Sequence, residues 1–189
     1  MVLETRRLIL RPWSVEDAKF LYQYAKDPRV GPSAGWPVHT SVTNSQNIIS
    51  EVLSGANTLA IVLKELAHPI GSIGIMFGEE SFINLPEDEA EIGYWIGVPF
   101  WGQQIVPEAL GAMIPYGFEN LNLKKLWCVS FEDNVQSIRV QEKCGFEYQF
   151  TRNEVYRPLI HEKHSERVTC LTKEKWYAKK AWKSHIILP

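Results

Sequence analysis

Apolar positions recur along this 189-residue chain with two periods, and the alternation between them predicts the elements. Arg6 to Arg11 (RRLILR) reads as a first strand, stopped by Pro12. Ser14 has the chemistry of a helix N-cap, with Asp17 three residues on. Ala18, Leu21, Tyr22 and Ala25 then share one face, which predicts a helix from Val15 to Lys26, closed by Pro28. Gly31 to Thr40 (GPSAGWPVHT) reads as a loop, and Ile48, Ile49, Val52 and Leu53 as one face of a second helix that stops near Gly55.

Three β-rich runs follow: Thr58 to Leu63, Pro69 to Met76, and Glu89 to Val98, with a loop from Gly78 to Asp88 before the third. Pro107 suits the first turn of a helix, because its missing N–H is not needed there. Leu110, Met113, Ile114, Gly117, Phe118 and Leu121 continue that helix as an apolar stripe, which Pro115 should kink. Lys125 to Ser130 reads as a strand. Asn134 caps a helix that runs to Cys144 and ends at Gly145, and Phe146 to Phe150 and Arg167 to Thr172 are the last strands. The expected class is α/β (α+β): a mixed sheet with helices on both faces. The reading places one domain at residues 1–176 and a C-terminal tail at 177–189, where Ile186 to Leu188 form an apolar patch.

Composition changes this picture only by exclusion. A formal net charge of -2 gives no ground for nucleic acid or an anionic membrane as the main partner. No apolar run approaches the roughly 18 residues of a membrane helix, and the amino terminus lacks a signal-type apolar stretch. Cys128, Cys144 and Cys170 form neither a C-x-x-C pair nor a Cys/His cluster, which suits reduced thiols in a cytoplasmic protein. His161 and His164 are too isolated to suggest a metal site.

Chemistry concentrates in two units. The first is strand, glycine-containing loop and helix at Glu89 to Asn120. A loop feeding a helix N-terminus offers unpaired backbone N–H groups and the positive end of the helix dipole, an anion site suited to a pyrophosphate. The second is the strand around Trp127 followed by EDNVQSIRVQEKCGF, Glu132 to Phe146.

Five stretches together resemble the GNAT superfamily of N-acetyltransferases, in the branch that includes the ribosomal-protein N-terminal acetyltransferases. They are ETRRLILRPW (Glu4 to Trp13), EIGYWIG (Glu91 to Gly97), WGQQIVPEAL (Trp101 to Leu110), NVQSIRVQEKCGF (Asn134 to Phe146) and TCLTKEKW (Thr169 to Trp176), in that order. The resemblance implies a GNAT fold: a mostly antiparallel sheet whose strand at Glu91 to Gly97 splays from the one at Leu126 to Ser130. The pantetheine arm of acetyl-CoA is expected in that gap, along Trp95, Ile96 and Gly97. The family's pyrophosphate loop, Arg/Gln-x-x-Gly-x-Gly/Ala, falls on Trp101, Gly102, Gln103, Gln104, Ile105 and Val106. Only the frequent additional glycine, Gly102, is kept. Trp101 replaces Arg or Gln, Gln104 the usual glycine, and Val106 the usual small residue. A Cβ at these places predicts a wider approach or a different loop conformation, with weaker cofactor binding or an altered phosphate pose. Asn134 and Ser137 match the family's Asn-x-x-Ser, which implies contact with the pantetheine arm and the thioester.

The implied reaction is direct attack by an amine on the thioester, without an acyl-enzyme. A backbone N–H around Tyr94 to Ile96 polarises the carbonyl, Ser137 serves the leaving thiolate, and Glu91 accepts the amine's proton through water. Trp36, in the Gly35-Trp36-Pro37 loop, and Tyr94 are expected to line the acceptor side, with Tyr156, His161 and His164 facing it. An α-amine with a pKa of about 8 is neutral to roughly a tenth at pH 7, whereas lysine near 10.4 is neutral to well under a thousandth. The expected acceptor is therefore a protein or peptide N-terminus. A small amine (polyamine or aminoglycoside) is the alternative, and a degenerate binding module is the competing class. A monomer or a homodimer fits equally.

Overall fold

The computed structural model describes residues 1–185, and side chains as far as Lys179. The strands are β1 (Leu3–Glu4), β2 (Leu8–Pro12), β3 (Thr58–Leu63), β4 (His68–Met76), β5 (Glu89–Ile96), β6 (Lys125–Phe131), β7 (Glu147–Arg157) and β8 (Glu162–Thr172). The helices are α1 (Ala18–Ala25), α2 (Val42–Glu51), α3 (Ile105–Pro115), α4 (Val135–Cys144) and α5 (Lys173–His185). The strands form one open sheet in the order β1-β2-β3-β4-β5-β6-β8-β7. Every pairing is antiparallel except β5 with β6, where α3 supplies the crossover that a parallel pair requires.

Alternation along the strands divides the core. On β3, Leu59 and Ile61 point into the cluster that includes Leu110, Met113 and Phe118 beyond α3, while Ala60 and Val62 pack with Leu21, Ala25 and Ile49 of α1 and α2. The sheet is thus covered on both faces, as the sequence pattern predicts.

Several boundaries move for local reasons. The first strand is Leu8–Pro12 rather than Arg6 to Arg11, and the short β1 pairs with it. Ser14 and Asp17 form a capping box around a single 3-10 turn before α1 begins. The third run ends at Ile96, and Val98–Phe100 forms a 3-10 turn. α3 starts at Ile105, two residues ahead of Pro107, so the proline still lies in the N-terminal turn, where no N–H is needed. The kink expected at Pro115 appears as a change of hydrogen bonding: the α-helix ends there and a π-helical turn, Tyr116–Asn120, follows.

The largest departure is at the C-terminal end. β7 and β8 are far longer than predicted and make a hairpin through the segment Asn153 to Ser165, with Val155 opposite His164. α5 crosses the expected boundary at Trp176, whose ring packs on Phe118 with centroids 5.5 Å apart. The patch Ile186 to Leu188 lies outside the described residues.

Candidate active site

β5 and β6 pair only at Glu89–Lys125, Ala90–Leu126 and Glu91–Trp127. Beyond that point β5 follows β4 as far as Ile96 and β6 follows β8 as far as Phe131, so the two diverge into a slot. The Gly97 N–H donates to the Ile70 carbonyl at 2.8 Å, so the odd-numbered residues of β5 bond to β4. By alternation, Ile92, Tyr94 and Ile96 turn their backbone groups towards the slot. The Trp101 indole takes one of them, donating to the Ile96 carbonyl at 3.0 Å. Trp101, at the family's Arg/Gln position, therefore ties the loop to the end of β5.

The loop into α3 adopts left-handed backbone twice, at Gly102 (φ 74°) and at Gln104 (φ 61°). The missing glycine has thus not changed the conformation to one an ordinary residue prefers; Gln104 takes the strained one. Such a residue costs roughly 1–2 kcal/mol when it is not glycine. Ile105 and Val106 are buried in the core. Their bulk is turned inward, while their N–H groups, in the first helical turn, have no intrahelical acceptor. The loop is braced from both sides. Arg7 donates to the Gln103 carbonyl at 3.0 Å, and its backbone N–H and Nε both bond to Glu108. On the other side the Lys143 ammonium donates to the Gln104 side chain. Replacing Gln104 by Gly should raise stability by up to about 1 kcal/mol, the strain relieved less the added chain entropy. Gln104→Ala, which keeps the Cβ, should not. Paired urea melts check this.

The two faces of β5 carry different groups. On the α1/α2 face, Trp95 stacks with Trp13 at 6.4 Å and meets Trp36 edge-on at 5.6 Å. Trp36 also lies on Gly31, where an added Cβ would come within 2.5 Å of its ring. Glu91 shares the parity of Trp95. Its Oε2 accepts from the Ser81 hydroxyl at 2.9 Å and from the Phe82 N–H at 2.7 Å. Burial pushes its carboxyl up to about 7, against the opposing pull of those two bonds and of Arg157 and Arg152. Phe82 is itself held: the Arg157 guanidinium sits 3.8 Å above its ring, and Arg152 donates to its carbonyl at 2.8 Å. Both arginines pair with the fully buried Glu166.

On the opposite face, Tyr94 reaches α4. Its hydroxyl lies 3.0 Å from the Ser137 hydroxyl and 3.3 Å from the Ser137 carbonyl, and burial holds the phenol well above its ordinary pKa. Asn134 caps α4 by accepting the Ser137 N–H at 3.1 Å, and its amide donates to the Ser33 carbonyl at 3.2 Å, fastening the Trp36 loop to α4. Gly97 leaves room for the Tyr24 ring, which an added Cβ would meet at 2.7 Å. Burial raises the Cys128 thiol, which leaves little thiolate for nucleophilic work.

The structure thus brings together Trp95 and Trp36 on one side of β5, with Glu91 further along the same face, and Tyr94, Ser137 and Asn134 on the other. Tyr94, expected beside Trp36, turns towards α4. His164 stacks on Phe131 at 3.9 Å, while Tyr156 and His161 bond to each other at the exposed hairpin end. Sequence reasoning passed over Arg152, Arg157 and Glu166, which sit among charged or apolar neighbours with no motif to mark them, and gave no role to Gln141 and Thr169, although both lie in the quoted stretches Asn134 to Phe146 and Thr169 to Trp176.

Residues 7–147 match the acetyltransferase (GNAT) domain family, and the chain belongs to that family. It is 33% identical over 150 residues to the uncharacterized N-acetyltransferase p20 of Bacillus licheniformis, covering 77% of this chain and 82% of that protein. It is 34% identical over 110 residues to the putative ribosomal N-acetyltransferase YdaF of Bacillus subtilis, covering 57% of this chain and 59% of that one. The crystal structure of a GNAT-family acetyltransferase from Bacillus anthracis superposes with a TM-score of 0.79 at 20% identity, over 92% of this chain and 99% of that chain, so the fold is shared. The chain is therefore an N-acetyltransferase of the GNAT family.

Proposed function

We propose that the protein transfers acetyl from acetyl-CoA to a protein or peptide N-terminal α-amine, by direct attack in the slot between β5 and β6. The divergence of those strands at Glu91 and Trp127 carries this reading, because it frees backbone groups beside a helix N-terminus. The pantetheine arm lies along Trp95, Ile96 and Gly97, and the diphosphate takes the amides of Gly102 to Val106. Asn134 holds the mouth of α4 beside the arm.

The amine nitrogen attacks the thioester carbon while a slot-facing N–H of Tyr94 or Ile96 stabilises the oxyanion. The C–S bond breaks and CoA leaves as a thiolate. Glu91 receives the amine's proton through water. A carboxylate poised near 7 suits an α-amine near 8 far better than a lysine near 10.4. Ser137 donates a hydrogen bond to the sulfur. A serine or buried phenol is a weaker acid than the thiol, at about 8.5, so CoA leaves as the hydrogen-bonded thiolate and takes its proton by equilibration with solvent, balanced by the proton that the amine gives up through Glu91. Cys128, Cys144 and Cys170 are not in disulfides, which suits a cytoplasmic setting.

One observation favours a second acceptor, a small polycationic amine. A cavity of about 420 Å³ beside the start of α4 is lined by Glu132, Asp133 and Glu154 together with Lys163, His164 and Ser165. Its acidic groups would concentrate cations. Incubation with acetyl-CoA and a panel of peptide N-termini and polyamines, read by mass spectrometry, separates the two. Acetylated peptide α-amines are expected; acetylation confined to polyamines would replace the first acceptor with the second.

A further inference from the structure

Gln141 is an amide at a core position. It is fully buried on α4, one turn after Ser137, where helical periodicity would place an apolar side chain. A buried amide is costly unless both ends are hydrogen-bonded. Both are: Nε2 donates to the Ser137 hydroxyl at 3.1 Å, and Oε1 accepts from the Thr169 hydroxyl at 2.8 Å. Thr169, also fully buried, belongs to β8, and its one proton lies nearer the Gln141 oxygen, at 2.8 Å, than the Cys128 carbonyl, at 3.2 Å, so the shorter bond favours the amide with its oxygen towards the strand.

Proton accounting gives this arrangement a consequence. An amide nitrogen only donates, so the Ser137 oxygen accepts on that side. Its single proton must point elsewhere. Among the described residues the acceptor in reach is the Tyr94 hydroxyl, across the slot at 3.0 Å. Tyr94 can in turn spend its own proton on the Ser137 carbonyl. If the amide were turned over, the Gln141 oxygen would consume the Ser137 proton, and Thr169 would donate to the Cys128 carbonyl, 3.2 Å away. The direction of one buried amide therefore decides whether Ser137 has a proton to offer.

We propose that Gln141, oriented by Thr169, is a positioning residue that aims the Ser137 proton into the slot, where the departing CoA sulfur takes the place of the Tyr94 oxygen. The proposal rests on the acetyltransferase reading above. The C–S bond breaks as before, no proton is transferred along the chain of hydroxyls, and the sulfur gains one hydrogen bond.

The test uses the full chain and thiol release with an amine that the wild type acetylates. Gln141→Glu keeps the shape but, once ionised, accepts from both hydroxyls and withdraws the Ser137 proton. Its kcat should fall about 10–100-fold near pH 8, less than the roughly 10²–10³-fold loss of an oxyanion-hole donor because the thiolate keeps its other contacts, with the acetyl-CoA KM little changed. The ratio of variant to wild-type kcat should recover as pH falls and the new carboxyl regains a proton to donate. In a Ser137→Ala background the same substitution should cost nothing further. Thr169→Val, which removes the orienting hydroxyl at nearly constant shape, should lower kcat several-fold without that pH dependence, and it carries the test if Gln141→Glu does not fold. An unchanged kcat in Gln141→Glu or in Thr169→Val, or an equal loss with and without Ser137, overturns the proposal while leaving the acetyltransferase reading intact. A wild type that releases no thiol with any amine overturns both.

Discussion

Glu91→Gln should lower kcat/KM by about 10²–10³-fold at pH 8 and abolish the rise of activity through pH 7. It should also make the protein more stable at that pH. Burial raises the Glu91 carboxyl to about 7 in the folded state, from 4.5 in the unfolded chain. Between those values the folded protein holds a proton that the unfolded chain has released. The associated stability is complete below 4.5 and is lost as pH rises through 7. Above 7 the buried carboxylate costs up to about 3 kcal/mol, which a neutral glutamine avoids. Urea denaturation should therefore show a gain in the variant at pH 8 that shrinks to under about 1 kcal/mol at pH 5 and vanishes below pH 4. A variant less stable at pH 8, or one that keeps the rise through pH 7, would remove Glu91 from the base role.

Glu166→Ala should be among the most destabilising single changes, at about 3–5 kcal/mol, because it leaves two guanidinium groups facing each other in a poorly hydrated site. Glu166 is fully buried between Arg152 and Arg157, and the same arginines hold Phe82 against Glu91. For a chain of this size the loss corresponds to a fall in Tm on the order of 10 °C. Glu166→Gln, which keeps the shape but not the charge, should fall between the variant and the wild type. Thermal unfolding of the three proteins measures this directly. A Tm for Glu166→Ala within a degree or two of the wild type would show that the arginines find other partners.

The elements that sequence pattern disclosed are those with a buried face. β3 and β4 are rich in β-branched residues and largely buried, and α4 is bounded by a side-chain cap at Asn134 and a left-handed glycine at Gly145 (φ 96°). β7 was legible only as far as Phe150; the rest lies at the sheet edge, with Tyr156 exposed and charged residues before it. α5 was hidden by its lysines, and among the described residues Trp176 marked a position that needed cover. Glu91, Asn134 and Ser137 could be named from motif, but their surroundings could not. The groups that bond Glu91 come from the loop before β5, and those that lock that loop come from the distant β7–β8 hairpin. Gln104 shows a third kind of limit. The absent glycine was legible, yet whether the loop would abandon the left-handed backbone or bear its cost depends on the bracing by Arg7 and Lys143.

All of the chemistry depends on acetyl-CoA seating between β5 and β6 with its diphosphate at the start of α3. A crystal structure of the protein with bound CoA measures that most directly. The account predicts diphosphate oxygens within hydrogen-bond distance of amides in the span Gly102 to Val106, and the thiol end between Tyr94 and Ser137. A diphosphate seated elsewhere, or strands that close together and exclude the pantetheine arm, would contradict it.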